Sequence, residues 1–349
     1  MNISNMQLNI LESNKDIFLD KESAVNLYRE DQNKLFLEAR RICEKIYGNK
    51  VFLRGLIEIS NVCTRDCLYC GIRKSNLKVL RYKLTKEEII ETVRKGYRYD
   101  LKTFVLQSGE FSYTVKELCE IVESIKNITN SEAAITLSCG LMSKKQYKDL
   151  KDAGCNRYLM RFETSDEKLY STFRKDSLQR RIKGLMDLKE LGFEVGSGFM
   201  VGLPGETEEI RINNALLCNE LALDMVGIGP FIPHQDTPLA DAIQEPIELT
   251  IRLTALLRIL LPYSNIPATT AAGTLSIDGR ERMLWAGANV LMPNITPNIY
   301  KKNYLLYPNK ICIDESGFEC IGCLNNRVKS IGKELSFERG DSYSFGLRN

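Results

Sequence analysis

From residue 51 onward, apolar β-branched runs of strand length alternate with stretches whose apolar residues recur at helical spacing. Eight runs read as strands: 51–60, 103–108, 133–138, 157–163, 194–201, 225–231, 265–270 and 289–292. Between them, Thr85 with Glu88, Thr114 with Glu117 and Ser143 with Gln146 have the spacing of capping boxes, in which two side chains satisfy orphan N–H groups at a helix start. Gly154, Gly192 and Gly287 stand where helices should stop. Strands alternating with helices over roughly 240 residues predict an α/β fold, a (β/α)8 TIM barrel. A doubly wound sheet is the structural alternative. In both, ligands meet the carboxyl ends of the strands. Residues 1–50 predict an N-terminal helical extension stopped at Gly48, and 51–307 the barrel. Residues 308–349 leave the pattern and form a C-terminal cysteine-bearing tail.

Composition narrows the function. With 44% hydrophobic residues, 349 residues can bury a substantial core. Forty-eight Lys+Arg against 45 Asp+Glu leave a net charge of +3, no basic field for nucleic acid. The single histidine, His234, excludes sites built on two or more histidines and argues against His-based triads. The most apolar helical stretch, 253–261, is broken by Arg258 and too short to span a membrane. The first residues lack the basic-then-apolar order of an export signal, so the expectation is a cytoplasmic chain with no membrane partner, and a monomer. In that setting eleven cysteines point to metal or redox chemistry rather than disulfides.

Directly after the first strand comes NVCTRDCLYCGIRKSN, with Cys63, Cys67 and Cys70 spaced C-x3-C-x2-C. Structural zinc is one reading, but it wants four ligands, usually as two pairs. Three thiolates on one short loop suit a 4Fe–4S cube with one iron left open. This motif, with Tyr69 before the last cysteine and at the end of strand one of a barrel, resembles the radical SAM superfamily. The resemblance implies that the open iron chelates S-adenosylmethionine and that an electron cleaves it to a 5′-deoxyadenosyl radical. The protein then supplies orientation and electrostatics.

Other strand ends fit a ligand pocket. Gln107-Ser108-Gly109-Glu110 matches the superfamily's Gly-Glu segment, and also reads as an ordinary turn before a helix. Alternation along 157–163 puts Arg161 and Glu163 on one side, where an inward pair needs a polar ligand or each other. Gly196, Gly198, Gly202 and Gly205 allow close backbone approach. Thr269 and Thr270 end strand seven, where their hydroxyls bind a carboxylate or simply favour the strand. His234 reads as a loop-packing or hydrogen-bonding residue.

The resemblance covers nearly the whole chain. RYLMRFET, GFMVGLPGET, VGIGPFIPHQDTPLA, LLPYSNIPATTAAGT and GANVLMPNITP are similar to the HydE-type radical SAM maturases of FeFe-hydrogenase. It implies Cys63, Cys67 and Cys70 as cluster ligands. It places Tyr69, Gln107, Ser108, Ser138, Glu163, Arg181 and Met292 around S-adenosylmethionine, and Thr136, Arg161, Thr269, Thr270, Tyr304 and Tyr307 around an inner cavity for anionic guests. The implied substrate is a small cysteine-derived organometallic iron complex, and the implied partners are other maturases and an electron donor. Cys312, Cys320 and Cys323, spaced C-x7-C-x2-C, match an accessory iron–sulfur cluster found in many members, 2Fe–2S or 4Fe–4S; free thiols are the plain alternative. The family pattern has an acid after the glycine in strand three's loop, where this chain has Cys139-Gly140-Leu141. Cys43, Cys119, Cys155 and Cys218 read as small buried apolar residues.

Three rivals remain. Biotin synthase has a cysteine at the strand-five position occupied here by Gly196. Methylornithine synthase, a radical SAM mutase acting on lysine, does not normally carry the tail trio. A pure electron-transfer protein would leave the polar barrel cavity without a use.

Overall fold

A computed structural model of the chain describes residues 20–348; the first part of the expected extension, 1–19, lies outside the described residues. The rest of the extension is two helices, α1 (Lys21–Arg29) and α2 (Gln32–Tyr47). Asp20 caps the first by accepting from Ser23 N at 2.7 Å, and Asp31 caps the second through Asn33 N and Lys34 N. Gly48, at φ +61°, ends α2 in a conformation that favours glycine. Leu35, Ala39 and Ile42 form its buried stripe.

The barrel opens with β1 (Lys50–Leu53) and β2 (Gly55–Ser60), one run interrupted only at Arg54. It continues through α3 (Lys86–Arg98), β3 (Thr103–Ser108), α4 (Val115–Ile128), β4 (Ala134–Ser138), α5 (Lys144–Asp152) and β5 (Arg157–Leu159). All three expected capping boxes form, at Thr85, Thr114 and Ser143. Two helices follow, α6 (Glu167–Arg174) and α7 (Leu178–Glu190), then β6 (Glu194–Ser197), β7 (Met200–Val201), α8 (Glu208–Glu220), β8 (Met225–Val226) and β9 (Gly229–Pro230). The circuit ends with α9 (Ile247–Leu260), α10 (Thr270–Leu275), α11 (Gly279–Trp285), β10 (Val290–Leu291) and α12 (Asn298–Lys301). Gly154, Gly192 and Gly287 all take positive φ after helices, as their positions predict.

Strands β2, β3, β4, β5, β6 and β8 pair in that order, all parallel. Parallel bridges Met225↔Asn265 and Pro267↔Val290 continue the sheet, and Phe52↔Val290 with Leu56↔Asn294 close it on the first strand. The ring is therefore the eight-stranded barrel that the alternation predicts. Ile57, Ile59, Phe104, Leu106, Ile135 and Leu137 turn outward into one apolar cluster with helix residues such as Ile89, Val93, Leu118 and Val122. Burying each such side chain contributes about 1.5–3 kcal/mol. The opposite face of the same strands points inward and carries Leu56, Glu58, Val105, Gln107, Thr136 and Ser138, which share a face by register.

Three strand ends differ from their expected bounds. Strand 157–163 runs unbroken only to Leu159: the Ser197 hydroxyl then donates to Met160 O and accepts from Phe162 N in place of the ladder, and pairing returns at Glu163, which at φ +66° bridges Phe199. Strand 194–201 breaks at Gly198, φ +145°, where a Cβ would lie 2.2 Å from the Gly227 carbonyl oxygen. Thr269 does not end a strand: it is the N-cap of α10, and its hydroxyl accepts from Ala272 N.

The tail is not an appendage. After α13 (Gly317–Ser330), β11 (Glu334–Ser336) pairs parallel with the free edge of β1, and α14 (Tyr343–Arg348) ends the described chain. Residues 339–341 cross the amino end of the barrel as a floor. The Arg339 carbonyl accepts from Thr103 and Arg157, and the Gly340 carbonyl from Arg54 and Asn265, so the segment touches four strands of the ring. Arg157 is fully buried, held at 2.6 Å by both Glu194 and Asp341. A charge so placed is tolerated only because it is paired.

Candidate functional site

The open end of the barrel is covered by the loop that leaves β2. Asn61, fully buried, accepts from Tyr82 N at 2.7 Å and donates to the carbonyls of Leu80 and Asn303. Arg81 donates to four carbonyls, those of Asn61, Ile72, Arg73 and Asn76. These bonds fix a long loop without secondary structure of its own. Its docking needs two glycines. A Cβ on Gly109 would lie 2.1 Å from Val62 O and 2.7 Å from Cys63 Cβ, and one on Gly71 would lie 2.1 Å from Leu305 O.

On this loop Cys67 is buried and Cys63 and Cys70 are half-buried. Cys67, Tyr69, Phe173, Met200, Leu203 and Phe231 form a small apolar cluster apart from the main core. Burial pushes the Cys67 and Cys70 thiols up. Binding to a metal is what would deprotonate thiols held this way.

Behind the cysteines lies Glu110, buried and clamped by three arginines. Its Oε1 takes Arg174 at 2.6 Å and Arg181 at 2.7 Å, and its Oε2 takes Arg65 at 2.9 Å. Burial alone would raise its carboxyl, but Arg181 and Arg174 hold it well below the usual carboxylate range. Arg174 also reaches the Tyr69 hydroxyl at 3.3 Å, and Arg181 donates to the Arg161 carbonyl. The clamp thus ties the cysteine loop, the turn after β3 and helices α6 and α7 together. Gly140, φ +92°, gives the Glu110 side chain its space. Leu141, standing where an acid was expected, lies against Gly184 instead.

Inside the barrel Arg161 lies 2.9 Å from Glu163 Oε2, an ion-pair contact without hydrogen-bond geometry, so that oxygen has no hydrogen-bond partner. The buried Thr136 hydroxyl has none either. Gln107 donates to the Tyr304 hydroxyl at 3.1 Å. Glu58 accepts from Asn294 at 2.8 Å and pairs with Lys310, which also donates to the Tyr304 carbonyl. Burial raises Tyr304 and Tyr307, with Glu58 acting in the same direction.

The expected residues therefore fall into groups. Tyr69, Arg181 and Glu163 gather near the cysteine loop, with Ser108 at the end of β3, its hydroxyl bonded to the Gly109 carbonyl. Gln107 meets Tyr304, Arg161 lies near enough to Tyr307 to act on it, Thr136 occupies an inward position of β4, and Ser138 pairs in register with Gln107. Met292 packs with the cluster of Tyr47, Phe52 and Val290. The Thr269 hydroxyl serves its helix, and Thr270 is the first residue of that helix. His234 is buried; its Nδ1 accepts from Asp236 N at 3.0 Å. Cys139 is packed in the core, and Cys119, unlike Cys43, Cys155 and Cys218, is only half-buried.

In the tail, Cys312 and Cys320 lie 3.8 Å apart, sulfur to sulfur, and Cys323 is exposed. The thiol hydrogen bond between them lowers Cys312 and raises Cys320, while Arg280 favours the thiolate at both. Four site residues escaped the sequence pattern: Arg65, Arg174, Glu58 and Lys310. Glu58 had a signal, an acid at an inward position of an otherwise apolar strand. Lys310 had none, since it reaches the cavity from outside the alternation.

The radical SAM superfamily matches residues 57–217. The chain is 46% identical over 301 residues, 86% of each chain, to the [FeFe] hydrogenase maturase subunit HydE of Thermotoga maritima. It is 30% identical over 266 residues, 75% of this chain and 74% of the other, to 3-methylornithine synthase of Methanosarcina acetivorans. Among solved structures, the crystal structure of methylornithine synthase (PylB) superposes with a TM-score of 0.81 at 25% identity, over 95% of this chain and 97% of that one. HydG, a maturase of the [FeFe]-hydrogenase, shares the fold with a TM-score of 0.80 at 20% identity, over 97% of this chain and 77% of that one.

Proposed function

The chain belongs to the HydE-type maturases of the radical SAM superfamily, and from that premise we propose how its residues divide the work. It is a radical SAM enzyme with a role in FeFe-hydrogenase maturation. Cys63, Cys67 and Cys70 hold a 4Fe–4S cluster, with S-adenosylmethionine beside it. Bound there, the cluster supplies the electron that cleaves S-adenosylmethionine to a 5′-deoxyadenosyl radical. Tyr69, Ser108, Ser138, Glu163 and Arg181 surround that cofactor. Arg65, Arg174 and Arg181 act through Glu110 to keep the loop in register, and the apolar cluster around Cys67 and Tyr69 excludes water. Gln107, which donates to the Tyr304 hydroxyl, borders both the cofactor and the guest, and Met292 is assigned as a further neighbour of the cofactor.

The substrate is a small cysteine-derived organometallic iron complex. The observation that carries this reading is Glu163 Oε2, buried without a hydrogen-bond partner 2.9 Å from the Arg161 guanidinium; the Thr136 hydroxyl, at an inward position of β4, is likewise unpartnered. Buried polar atoms are nearly always satisfied, so unpartnered oxygens at inward positions of the barrel call for a polar guest, with a carboxylate for Arg161. Tyr304, Tyr307, Gln107 and the Glu58–Lys310 pair form the rest of the wall. Anaerobic turnover with a synthetic cysteine–iron complex bearing carbon monoxide and cyanide, with dithionite as reductant, tests it. Consumption of the complex with release of an adenosyl product is the expected result. Conversion of lysine to methylornithine instead would select the mutase reading. Cys312, Cys320 and Cys323 hold an accessory iron–sulfur cluster, with Arg280 offsetting its charge. Residues 51–307 form the catalytic unit, and partner maturases supply its substrate and take its product.

A further inference from the structure

The loop that carries the cysteines continues outward as residues 71–84, which hold five cations, Arg73, Lys74, Lys78, Arg81 and Lys83, and no acid. This outer loop is bonded directly to the cysteine segment. Lys74 N donates to Arg65 O at 2.8 Å, Ser75 N to Asp66 at 3.1 Å, and Asn76 to Gly71 O at 2.7 Å. At its crest two large apolar residues face solvent, Leu77 at 91% and Leu80 at 70% exposure. An apolar patch framed by polar residues is the composition of a docking surface rather than of a solvated loop.

The charges around that crest are layered. In the ion pair Lys78–Asp236 the side-chain exposures are 78% and 16%, in Lys175–Asp66 55% and 25%, and in Arg180–Asp176 65% and 7%. In each, the cation stands in water and the acid lies beneath it. Asp66 and Asp176 also hold Arg73 and Arg65, so these pairs join the crest to the cysteine loop. Although the whole chain is only +3, this face presents positive charge to solvent. Through these bonds and ion pairs the exposed crest is joined directly to the segment that carries the three cysteines.

We propose that Leu77, Leu80, Lys74, Lys78, Lys175 and Arg180 form the docking face for a small acidic one-electron carrier protein. This rests on the reading that Cys63, Cys67 and Cys70 hold a cluster that must be reduced. One electron leaves the reduced carrier, which is oxidised, and enters the cluster, which is reduced; no proton or group moves in that step. Apolar contact at Leu77 and Leu80 sets the lifetime of the complex, and the surrounding cations steer the encounter.

The test uses the holoenzyme and a reduced acidic ferredoxin as probe, with cluster reduction followed by absorbance and binding measured across a salt series. Expected for the wild type is a reduction rate that falls steeply as salt is raised. Charge reversal in K74E/K78E should slow reduction by the ferredoxin about tenfold or more at low salt, and L77S/L80S should weaken binding. Both should leave reduction by dithionite, and S-adenosylmethionine cleavage with it, unchanged. A wild type that dithionite cannot reduce sinks the cluster reading itself. Wild-type-like ferredoxin kinetics in both variants overturn the docking face while leaving that reading standing. A concentration-dependent dimer that dissolves in L77S/L80S would assign the face to a second copy of the chain and likewise overturn the proposal.

Discussion

Replacing Glu110 by Gln removes one negative charge from among three guanidinium groups and keeps the shape. The site is dry: side-chain exposure is 9% at Glu110, 8% at Arg174 and 5% at Arg181. Breaking a buried pair by deleting one partner costs about 3–5 kcal/mol, because the remaining charges stay buried without compensation. At roughly 2.1 cal/mol/K per residue, the entropy of melting for a chain of this length is about 0.7 kcal/mol/K, so the expected loss in Tm is about 4–7 °C. Calorimetry on the metal-free chain measures this without involving the cluster. Acid should mimic the substitution. The Glu110 carboxyl is depressed in the folded state, so its contribution is present above its ordinary pKa of 4.5 and is lost as pH falls toward the folded value. The wild type should therefore lose its advantage over E110Q on acidification. Adding R174M to E110Q should restore part of the loss, since one uncompensated cation goes. A Tm change under about 1 °C for E110Q at neutral pH would refute the account, because ion pairs that water screens cost that little.

Cys67→Ala should abolish S-adenosylmethionine cleavage, whereas Cys320→Ala should keep it and lose only the second cluster's spectroscopic signal; cleavage by the first variant would overturn the division between the two trios. Thr136→Val exchanges a buried hydroxyl that has no hydrogen-bond partner for a methyl. It should leave Tm unchanged or raised, yet weaken guest binding about tenfold, roughly the 1.4 kcal/mol of one hydrogen bond; calorimetric titration with the guest decides, and equal affinity would remove Thr136 from the site. Glu206 is pushed up to about 7 by burial, against the opposing Gly202 N–H and Arg211. Its contribution to stability is full below its ordinary pKa of 4.5 and is lost as pH rises through about 7. Glu206→Gln should flatten the fall in Tm between pH 5 and 8, and an unchanged slope would count against that burial.

Much of the fold was legible because it is written in local chemistry. Capping boxes at Thr85, Thr114 and Ser143 need only two side chains three residues apart, and all three form. The eight strand positions follow from runs buried on both faces, which parallel barrels require. The C-x3-C-x2-C loop declares itself because its ligands are close in sequence. Strand ends were less legible. Alternation puts Arg161 and Glu163 on one face, but the ladder breaks after Leu159 where the Ser197 hydroxyl intervenes, and the two meet as an ion pair with Glu163 in a left-handed conformation. Thr269 looked like a strand hydroxyl and is a helix cap.

By itself, then, the sequence determined the barrel, its helix boundaries and the cysteine loop, all products of interactions within a few residues. Only the tertiary structure decided what surrounds that loop. Glu110 meets Arg65, Arg174 and Arg181 across gaps of 45, 64 and 71 residues, and Lys310 reaches Glu58 across 252. No periodicity encodes such pairs. They exist because closing the ring brings successive strand ends to one rim, and because the tail returns twice, once to plug the floor with residues 339–341 and once to set a cation against Glu58 inside the barrel.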